Sequence, residues 1–364
     1  MTVAPASSLG QSAPRLLAVS AVVVAGLAIG LILFAAGDTL GYDFRAYLEA
    51  ARRLLQGATL YDPRVDVAGG FAIYLYPPPF AVALVPLALL PGTLAPTLAW
   101  TALIIAALLL AIAALPVRPW VRWTLLLVAG LSWPVLYTLK LGQVGTLLLL
   151  CFAVAWRCID RPVPLGLSIA SGTLVKLQPV LLLPWALAVG RWRAATSAVV
   201  AMAVVCVASL LVVGTSAWAD YVALLRRVSD PVSTPHTVSP GAVAYQSGLS
   251  LEAATLFQWL AVAGVVAITL HAWFRRDPGA SLVVTAVASQ VLSPLVWDHY
   301  AMVLLLPVAL VLDRLGRRAW PVVLLPIAGW LPAPVYPALF AVGLVAAWGV
   351  GRPREGPGPR VMAR

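Results

Sequence analysis

The sequence contains few charged residues. Asp, Glu, Lys and Arg make up 10% of its 364 residues, whereas hydrophobic residues make up 62% and the mean hydropathy is +0.96. A soluble domain carries about a quarter charged residues and about half apolar ones. This composition cannot cover a water-facing surface, and it also excludes an intrinsically disordered chain. It is typical of an integral membrane protein that crosses the bilayer many times.

Cysteine, histidine and lysine are also scarce. The three cysteines, Cys151, Cys158 and Cys206, lie inside apolar runs, which excludes a disulfide-stabilised secreted scaffold and indicates small core residues. Three histidines do not make a metal cluster, and no GxGxxG, Walker, HExxH or GxSxG motif is present. No basic stripe is interleaved with aromatic residues, so no nucleic-acid partner is expected.

Apolar runs alternate with short polar junctions from residue 16 to residue 350. This pattern predicts an all-α polytopic membrane protein with about 11–13 transmembrane helices in one membrane domain, 1–364. Two longer polar stretches are predicted as loops, a first over 38–78 and a second over 215–251. The Pro-rich run 79–91 is short for a span, so a re-entrant or tilted half-membrane segment is predicted there.

The basic residues cluster at every second junction and in the tail 351–364. When Arg15, these junctions and the tail are placed in the cytoplasm, the charge is +12 inside and −1 outside. By the positive-inside rule, both long loops then face the outer side and both termini are cytoplasmic. The predicted location is therefore the plasma (inner) membrane, with the lipid bilayer as a partner.

This orientation places several polar residues on the outer side. Ionisable groups at membrane depth are costly and usually face a cavity in which they function. Structural explanations remain open for each: the two lysines can snorkel to the interface, and the histidine can be a packed core residue. The acidic residue of the first loop can be the N-cap of an amphipathic helix over 44–56, which Gly57 ends. The residues in question are Asp43, Lys140, Gln143, Lys176, Gln178, Asp298 and His299.

The motifs that contain these residues, taken in order, resemble glycosyltransferase family 87 of the GT-C superfamily. These are membrane-embedded transferases that use polyprenyl-phosphate sugars. The resemblance covers about residues 38–300, and Tyr300 stands where relatives often carry a further histidine. It rests on Asp43-Phe-Arg-Ala-Tyr47, Leu75-Tyr76-Pro-Pro-Pro-Phe80, Gly142-Gln143, Lys176-Leu-Gln178-Pro179 and Ser293-Pro-Leu-Val-Trp-Asp298-His299.

The resemblance implies an inverting transfer of a hexose, typically mannose. The donor would be a polyprenyl-phosphate sugar, and the acceptor a hydroxyl of a lipid or glycan. Asp43 matches the carboxylate that acts as general base on the acceptor. Polyprenyl phosphate is already a good leaving group, so no nucleotide-binding domain and no cofactor is predicted. The remaining candidates are substrate-binding residues, with the cationic ones on the phosphate side: Lys140, Gln143, Lys176, Gln178, Asp298, His299 and Tyr76.

Two other function classes remain open from the sequence. A transporter or flippase of a lipid-linked sugar is the principal alternative, although the inverted repeats typical of many transporters are not visible. A noncatalytic assembly protein is the other, and it would have no use for the outer-side polar residues. Asp43, Asp62 and Asp66 share one loop without the fixed spacing of a metal site, so no metal ligands are assigned.

Overall fold

The computed structural model describes residues 9–61, 73–228, 230–275 and 277–351, and all regular elements in these ranges are helical. The predicted all-α class is confirmed. Asp62, Asp66 and the basic tail beyond residue 351 lie outside the described residues. The α-helices are α1 Leu9–Ala36, α2 Tyr42–Leu55, α3 Pro78–Ala83, α4 Val85–Ala88, α5 Leu94–Ala114, α6 Pro119–Leu131, α7 Trp133–Leu141, α8 Gly145–Arg157, α9 Pro162–Val175, α10 Leu182–Ala188, α11 Trp192–Arg227, α12 Pro240–Gln246, α13 Leu251–Phe274, α14 Pro278–Val291, α15 Leu305–Leu315, α16 Leu324–Ile327 and α17 Tyr336–Gly349.

Several helices are long and apolar enough to cross a bilayer. Five helical segments in the described part of the chain meet this condition alone, and α6 with α7 forms a sixth candidate that bends by 66°. Five shorter apolar helices accompany them. The chain is therefore a multi-pass membrane protein, whereas the count of 11–13 crossings stays a prediction.

Helix burial separates the lipid-facing shell from the centre of the bundle. α1 exposes large apolar side chains such as Leu31 and Phe34, the latter 88% exposed, as expected of a helix that faces acyl chains. By contrast, every residue of α14 from Ala280 to Val291 is buried. α14 and the segment that follows it, a 3₁₀ helix over Asp298–Leu304, thus lie at the centre.

Small residues allow close helix crossings in this bundle. A Cβ added at Gly130 of α6 would lie 2.6 Å from Ala25 Cα of α1. One added at Gly166 of α9 would lie 2.5 Å from the carbonyl oxygen of Ala194 in α11. Such contacts are typical of membrane helices, which associate through close backbone packing rather than through the hydrophobic effect.

Arginine and aspartate side chains from the basic junctions meet at one end of the bundle. Arg118 lies 3.2 Å from Asp313, and Arg314 pairs with Asp277. Arg314 also donates to the carbonyl of Val350. The structure therefore groups residues that the charge pattern assigned to one side of the membrane.

The amphipathic helix of the first loop is present, but its start was predicted incorrectly. Asp43 is not the N-cap: α2 begins at Tyr42, and Gly41 is the N-cap residue with φ 69° and no side-chain cap bond. The predicted end is correct. Gly57 has φ 66°, and its N–H donates to the carbonyl of Leu54, as in a glycine-terminated helix.

The second polar loop and the Pro-rich run can also be compared with their predictions. The second loop was predicted over 215–251, but α11 continues as helix to Arg227 after a break at Gly214, where φ is 77° and ψ is 172°. Irregular chain and the short α12 occupy most of the remainder. The Pro-rich run 79–91, predicted as a re-entrant or tilted half-membrane segment, forms two short helices, α3 and α4, and its place relative to the bilayer stays a prediction.

Candidate active site

Asp43 is positioned by a close contact between two segments of chain. Gly41 and Gly142 both have positive φ, 69° and 73°. A Cβ on Gly142 would lie 3.2 Å from Gly41 Cα and 2.8 Å from Phe44 Cβ, so only glycine fits there. The Gly41 N–H donates to the carbonyl of Lys140 at 2.9 Å. The start of α2 is thereby docked onto the turn between α7 and α8.

This docking brings Asp43 next to Gln143. The Gln143 Nε2 donates to Asp43 Oδ2 at 2.5 Å. Its Oε1 lies 2.9 Å from the hydroxyl of Tyr47 and 2.8 Å from that of Tyr76. The two hydroxyls are themselves 2.6 Å apart. A buried polar cluster of Gln143, Tyr47 and Tyr76 therefore holds the Asp43 carboxylate through the Gln143 amide.

Burial and charge act in opposite directions on Asp43. Burial raises the pKa of this carboxyl above its usual value, whereas His299, the Gln143 hydrogen bond and Lys176 lower it. Asp43 lies in α2, outside the long apolar segments. The carboxyl is thus a better proton acceptor than an ordinary exposed aspartate, because a higher pKa means a stronger base.

Lys176 lies at the junction after α9, close to two aromatic rings. Its ammonium donates to the hydroxyl of Tyr300 at 2.5 Å and lies 3.9 Å from the centre of that ring. The ring of Tyr76 is 5.5 Å away. Burial lowers the pKa of Lys176 to about 7, and the charge of Asp43 acts in the opposite direction. No ion pair at salt-bridge distance neutralises it within the described chain.

Asp298 lies at the cavity and is engaged by two neighbouring residues, His299 and Trp133. Its Oδ1 accepts from the backbone N–H of His299 at 2.7 Å and lies 3.5 Å from the Nδ1 of that ring. Its Oδ2 accepts from the indole of Trp133 at 3.4 Å. The Nε2 of His299 is buried and has no hydrogen-bond partner among the described residues. This ring nitrogen is therefore a buried polar atom that the described residues leave unsatisfied.

All eight residues predicted from the sequence line one cavity of about 1330 Å³. A drug-sized pocket typically has about 300–1,000 Å³, so this cavity has room for the reacting ends of two substrates. Lys140 and Gln178 line it together with the residues described above. The structure thus brings together side chains that lie up to about 250 positions apart in sequence, although it does not assign their roles.

The Tyr74–Phe80 segment packs partly into an aromatic cluster and partly against the cavity. Tyr74 and Phe80 are buried in an aromatic cluster with Tyr47. Tyr76 reaches the cavity, and Leu75 lines it. This segment therefore packs against Tyr47 of α2 and contributes only part of the cavity wall.

Sequence reasoning missed several aromatic residues of the site. Tyr47 was assigned only to the buried face of α2, although it lies four residues after Asp43 and so on the same face of the helix. Trp133 and Tyr137 stack with ring centres 4.9 Å apart and line the cavity. Their spacing of four, followed by three to Lys140, was the available signal, because it places all three on one face of α7.

Among the described residues, no group of three or more His, Cys, Asp or Glu side chains converges as metal ligands would.

Comparison with known proteins identifies the family. The family model described as glycosyltransferase family 87 matches residues 74–296, more than half of the chain. The chain belongs to this family. It is also 28% identical over 332 residues to a protein of Mycobacterium tuberculosis (strain CDC 1551 / Oshkosh), described as a polyprenol-phosphate-mannose-dependent alpha-(1-2)-phosphatidylinositol pentamannoside mannosyltransferase. The match covers 85% of this chain and 75% of that relative. No solved structure matches.

The family 87 assignment makes the protein a membrane glycosyltransferase. The matched range contains Tyr76, Gln143 and Lys176, but it excludes Asp43 and His299. These two residues are nonetheless brought to the same cavity by the fold. The cavity of this family 87 enzyme is therefore its candidate active site.

Proposed function

We propose that this family 87 enzyme transfers a hexose, mannose as in the name of its relative, from a polyprenyl-phosphate sugar to a hydroxyl group of a lipid or glycan acceptor. The proposal rests on one observation: Asp43 is a half-buried carboxylate in a large cavity that also holds Lys140, Lys176 and His299. A base and a set of anion-binding groups are the two components that such a transfer needs.

Asp43 is the proposed general base. In the reaction, the acceptor oxygen forms a bond to the anomeric carbon while the bond from that carbon to the phosphate oxygen breaks. The acceptor proton passes to the carboxylate of Asp43, and the bonding electrons leave with the polyprenyl phosphate. A positioned base contributes about 10²–10⁴ to the rate of such a step.

Lys140, Lys176 and His299 are the proposed phosphate-binding groups. Lys140 and Lys176 line the cavity and supply positive charge when protonated, and the buried Nε2 of His299, which lacks a partner among the described residues, supplies a further hydrogen-bonding position. Charge-assisted hydrogen bonds to a phosphate are stronger than neutral ones. They stabilise the negative charge that grows on the leaving phosphate.

An inverting displacement is proposed because, among the described residues that line the cavity, Asp43 is the carboxylate left free for chemistry. Asp43 and Asp298 are the carboxylates that line the described part of the cavity, and Asp298 is engaged by His299 and Trp133. A retaining double displacement requires a second carboxylate as nucleophile, as in glycosidases with paired carboxylates. The charge distribution along the sequence supports an outer-face site, with Lys140 and Lys176 on that side.

The test uses purified protein in vesicles with radiolabelled polyprenyl-phosphate mannose and membrane lipids. Transfer of label to a lipid or glycan acceptor supports the proposal, and nuclear magnetic resonance of the new linkage reports its anomeric configuration. Retention of the donor configuration would refute the inverting mechanism. Movement of the donor across the vesicle membrane without transfer would indicate a flippase instead.

A further inference from the structure

The side-chain amide of Gln143 has a defined orientation. A carboxylate only accepts hydrogen bonds, so the amide nitrogen must face Asp43 Oδ2, which lies 2.5 Å away. Its oxygen then faces the hydroxyls of Tyr47 and Tyr76. The opposite orientation would place two acceptors against each other at Asp43. The amide is therefore held from both ends.

The two tyrosine hydroxyls make this orientation robust. Three oxygen atoms lie within 2.9 Å of one another, those of Tyr47, Tyr76 and the Gln143 amide. Only two hydroxyl hydrogens are available for these three contacts, since each tyrosine has one. Neither hydroxyl can donate twice, so with both hydrogens kept inside this buried cluster at least one of them points to the amide oxygen. Loss of a single hydroxyl leaves the other able to serve it.

Gln143 is also poorly placed to serve mainly as a substrate contact. It is only 9% exposed, and its oxygen already accepts from the tyrosines. Its hydrogen bond occupies Oδ2 of Asp43, whereas no hydrogen bond from the described residues reaches Oδ1. The two oxygens of one carboxylate are thus made unequal.

We propose that Gln143 is a positioning residue that holds Oδ2 of Asp43 and so presents Oδ1 to the acceptor hydroxyl. This inference rests on the proposed function of Asp43 as base, and it replaces the substrate contact that the sequence predicted for Gln143. A hydrogen bond that persists on Oδ2 directs the incoming proton to Oδ1. It also fixes the direction from which the acceptor is activated, and positional errors of about 1 Å can cost about a hundredfold in rate.

The first test compares Gln143→Leu and Gln143→Glu with the wild type. Both variants are expected to lower kcat by about ten- to a hundredfold with an unchanged donor KM. Both should move the acidic limb of the kcat profile to higher pH, because the hydrogen bond that favours the charged carboxylate is lost. The shift should be larger in Gln143→Glu, where two carboxylates must share a proton.

The tyrosines supply the matched controls. Tyr47→Phe or Tyr76→Phe alone should retain the wild-type pH profile, because one hydroxyl still donates to the amide oxygen. The double variant should shift the profile in the direction of Gln143→Leu. Gln258→Leu removes a buried glutamine that accepts from the Gly241 N–H outside the cavity, so it should leave the pH profile unchanged.

A spectroscopic readout separates this inference from the proposed function. The carboxyl band that is present in wild type and absent in Asp43→Asn reports the titration of Asp43 in an infrared pH series, whether or not sugar is transferred. A shift of this titration to higher pH in Gln143→Leu supports the inference. An unshifted titration, or a raised donor KM with unchanged kcat, would overturn it. Absence of transfer by the wild type would overturn the proposed function alone.

Discussion

Replacement of Asp43 by asparagine separates its chemical role from its structural one. The asparagine oxygen can still accept the hydrogen bond that Gln143 Nε2 donates to Oδ2. Its amide nitrogen cannot take the acceptor proton. We therefore expect folded protein that binds the polyprenyl-phosphate donor normally and transfers sugar about 10²–10⁴ times more slowly. This loss equals about 3–5 kcal/mol of transition-state stabilisation.

The structure also determines the expected stability of two variants. Gly41, not Asp43, caps α2, so no cap is lost in either case. Asp43→Asn removes a carboxylate whose charged form is disfavoured by burial, so this substitution is expected to leave stability unchanged. Asp43→Ala additionally leaves the Gln143 Nε2–H without its acceptor, which costs about 1–3 kcal/mol and falls toward the lower value where cavity water can replace it.

The assay measures transfer from radiolabelled donor, donor binding and thermal unfolding at matched protein amounts. Wild-type transfer rates in Asp43→Asn would refute the assignment of Asp43 as base, and the base would then be sought at Asp298. Equal loss of donor binding and transfer would assign Asp43 to the donor instead. Equal stability of the alanine and asparagine variants would contradict the structural account of Gln143.

Three further predictions concern charge and topology. Lys140→Ala or Lys176→Ala should raise the donor KM by about one to two decades and leave the acceptor KM unchanged, because each loses a charge-assisted hydrogen bond of about 1.5–3 kcal/mol. An unchanged donor KM in both variants would indicate that the lysines only snorkel to the membrane interface. Because the pKa of Lys176 is lowered to about 7, its positive charge is lost as pH rises through that value, so donor kcat/KM should fall above pH 7 in the wild type but not in Lys176→Arg. If Lys176→Arg leaves the pH profile of donor kcat/KM unchanged, the assignment of this pH dependence to Lys176 is wrong. In a variant without the native cysteines, Thr59→Cys and Ser247→Cys should react with an impermeant thiol reagent on intact cells, whereas Arg318→Cys should not; the reverse pattern would overturn the orientation.

The grouping of residues was predictable because charge is distributed unevenly along the sequence. The arginines at every second junction predicted which junctions lie at the same end of the bundle. The structure pairs Arg118 with Asp313 at that end. The same alternation placed Asp43, Lys176 and His299 together at the other end, where they share a cavity. The distribution of charge thus predicted which polar residues lie together at the same end of the bundle.

Local geometry was less predictable, because it depends on contacts between distant segments. The pairing of Asp43 with Gln143 joins residues 100 positions apart. Asp43 was mistaken for an N-cap because the positive φ of Gly41 has no distinct signature in sequence. The extension of α11 to Arg227 did have a signature in the sequence. Trp218, Tyr221 and Leu225 follow a helical period there, although the falling hydropathy suggested a loop.

The contact of Gly41 with Gly142 has a consequence for genetic reversion. Gly41→Ala would clash with the Thr97 methyl group at 2.8 Å, and a smaller residue at 97 would relieve that clash but not the cost of positive φ. Gly142→Ala would meet the Cβ of Phe44 and the Cα of Gly41, atoms that almost no substitution removes. Selection for restored activity should therefore yield second-site suppressors of Gly41→Ala at Thr97, and only true revertants of Gly142→Ala.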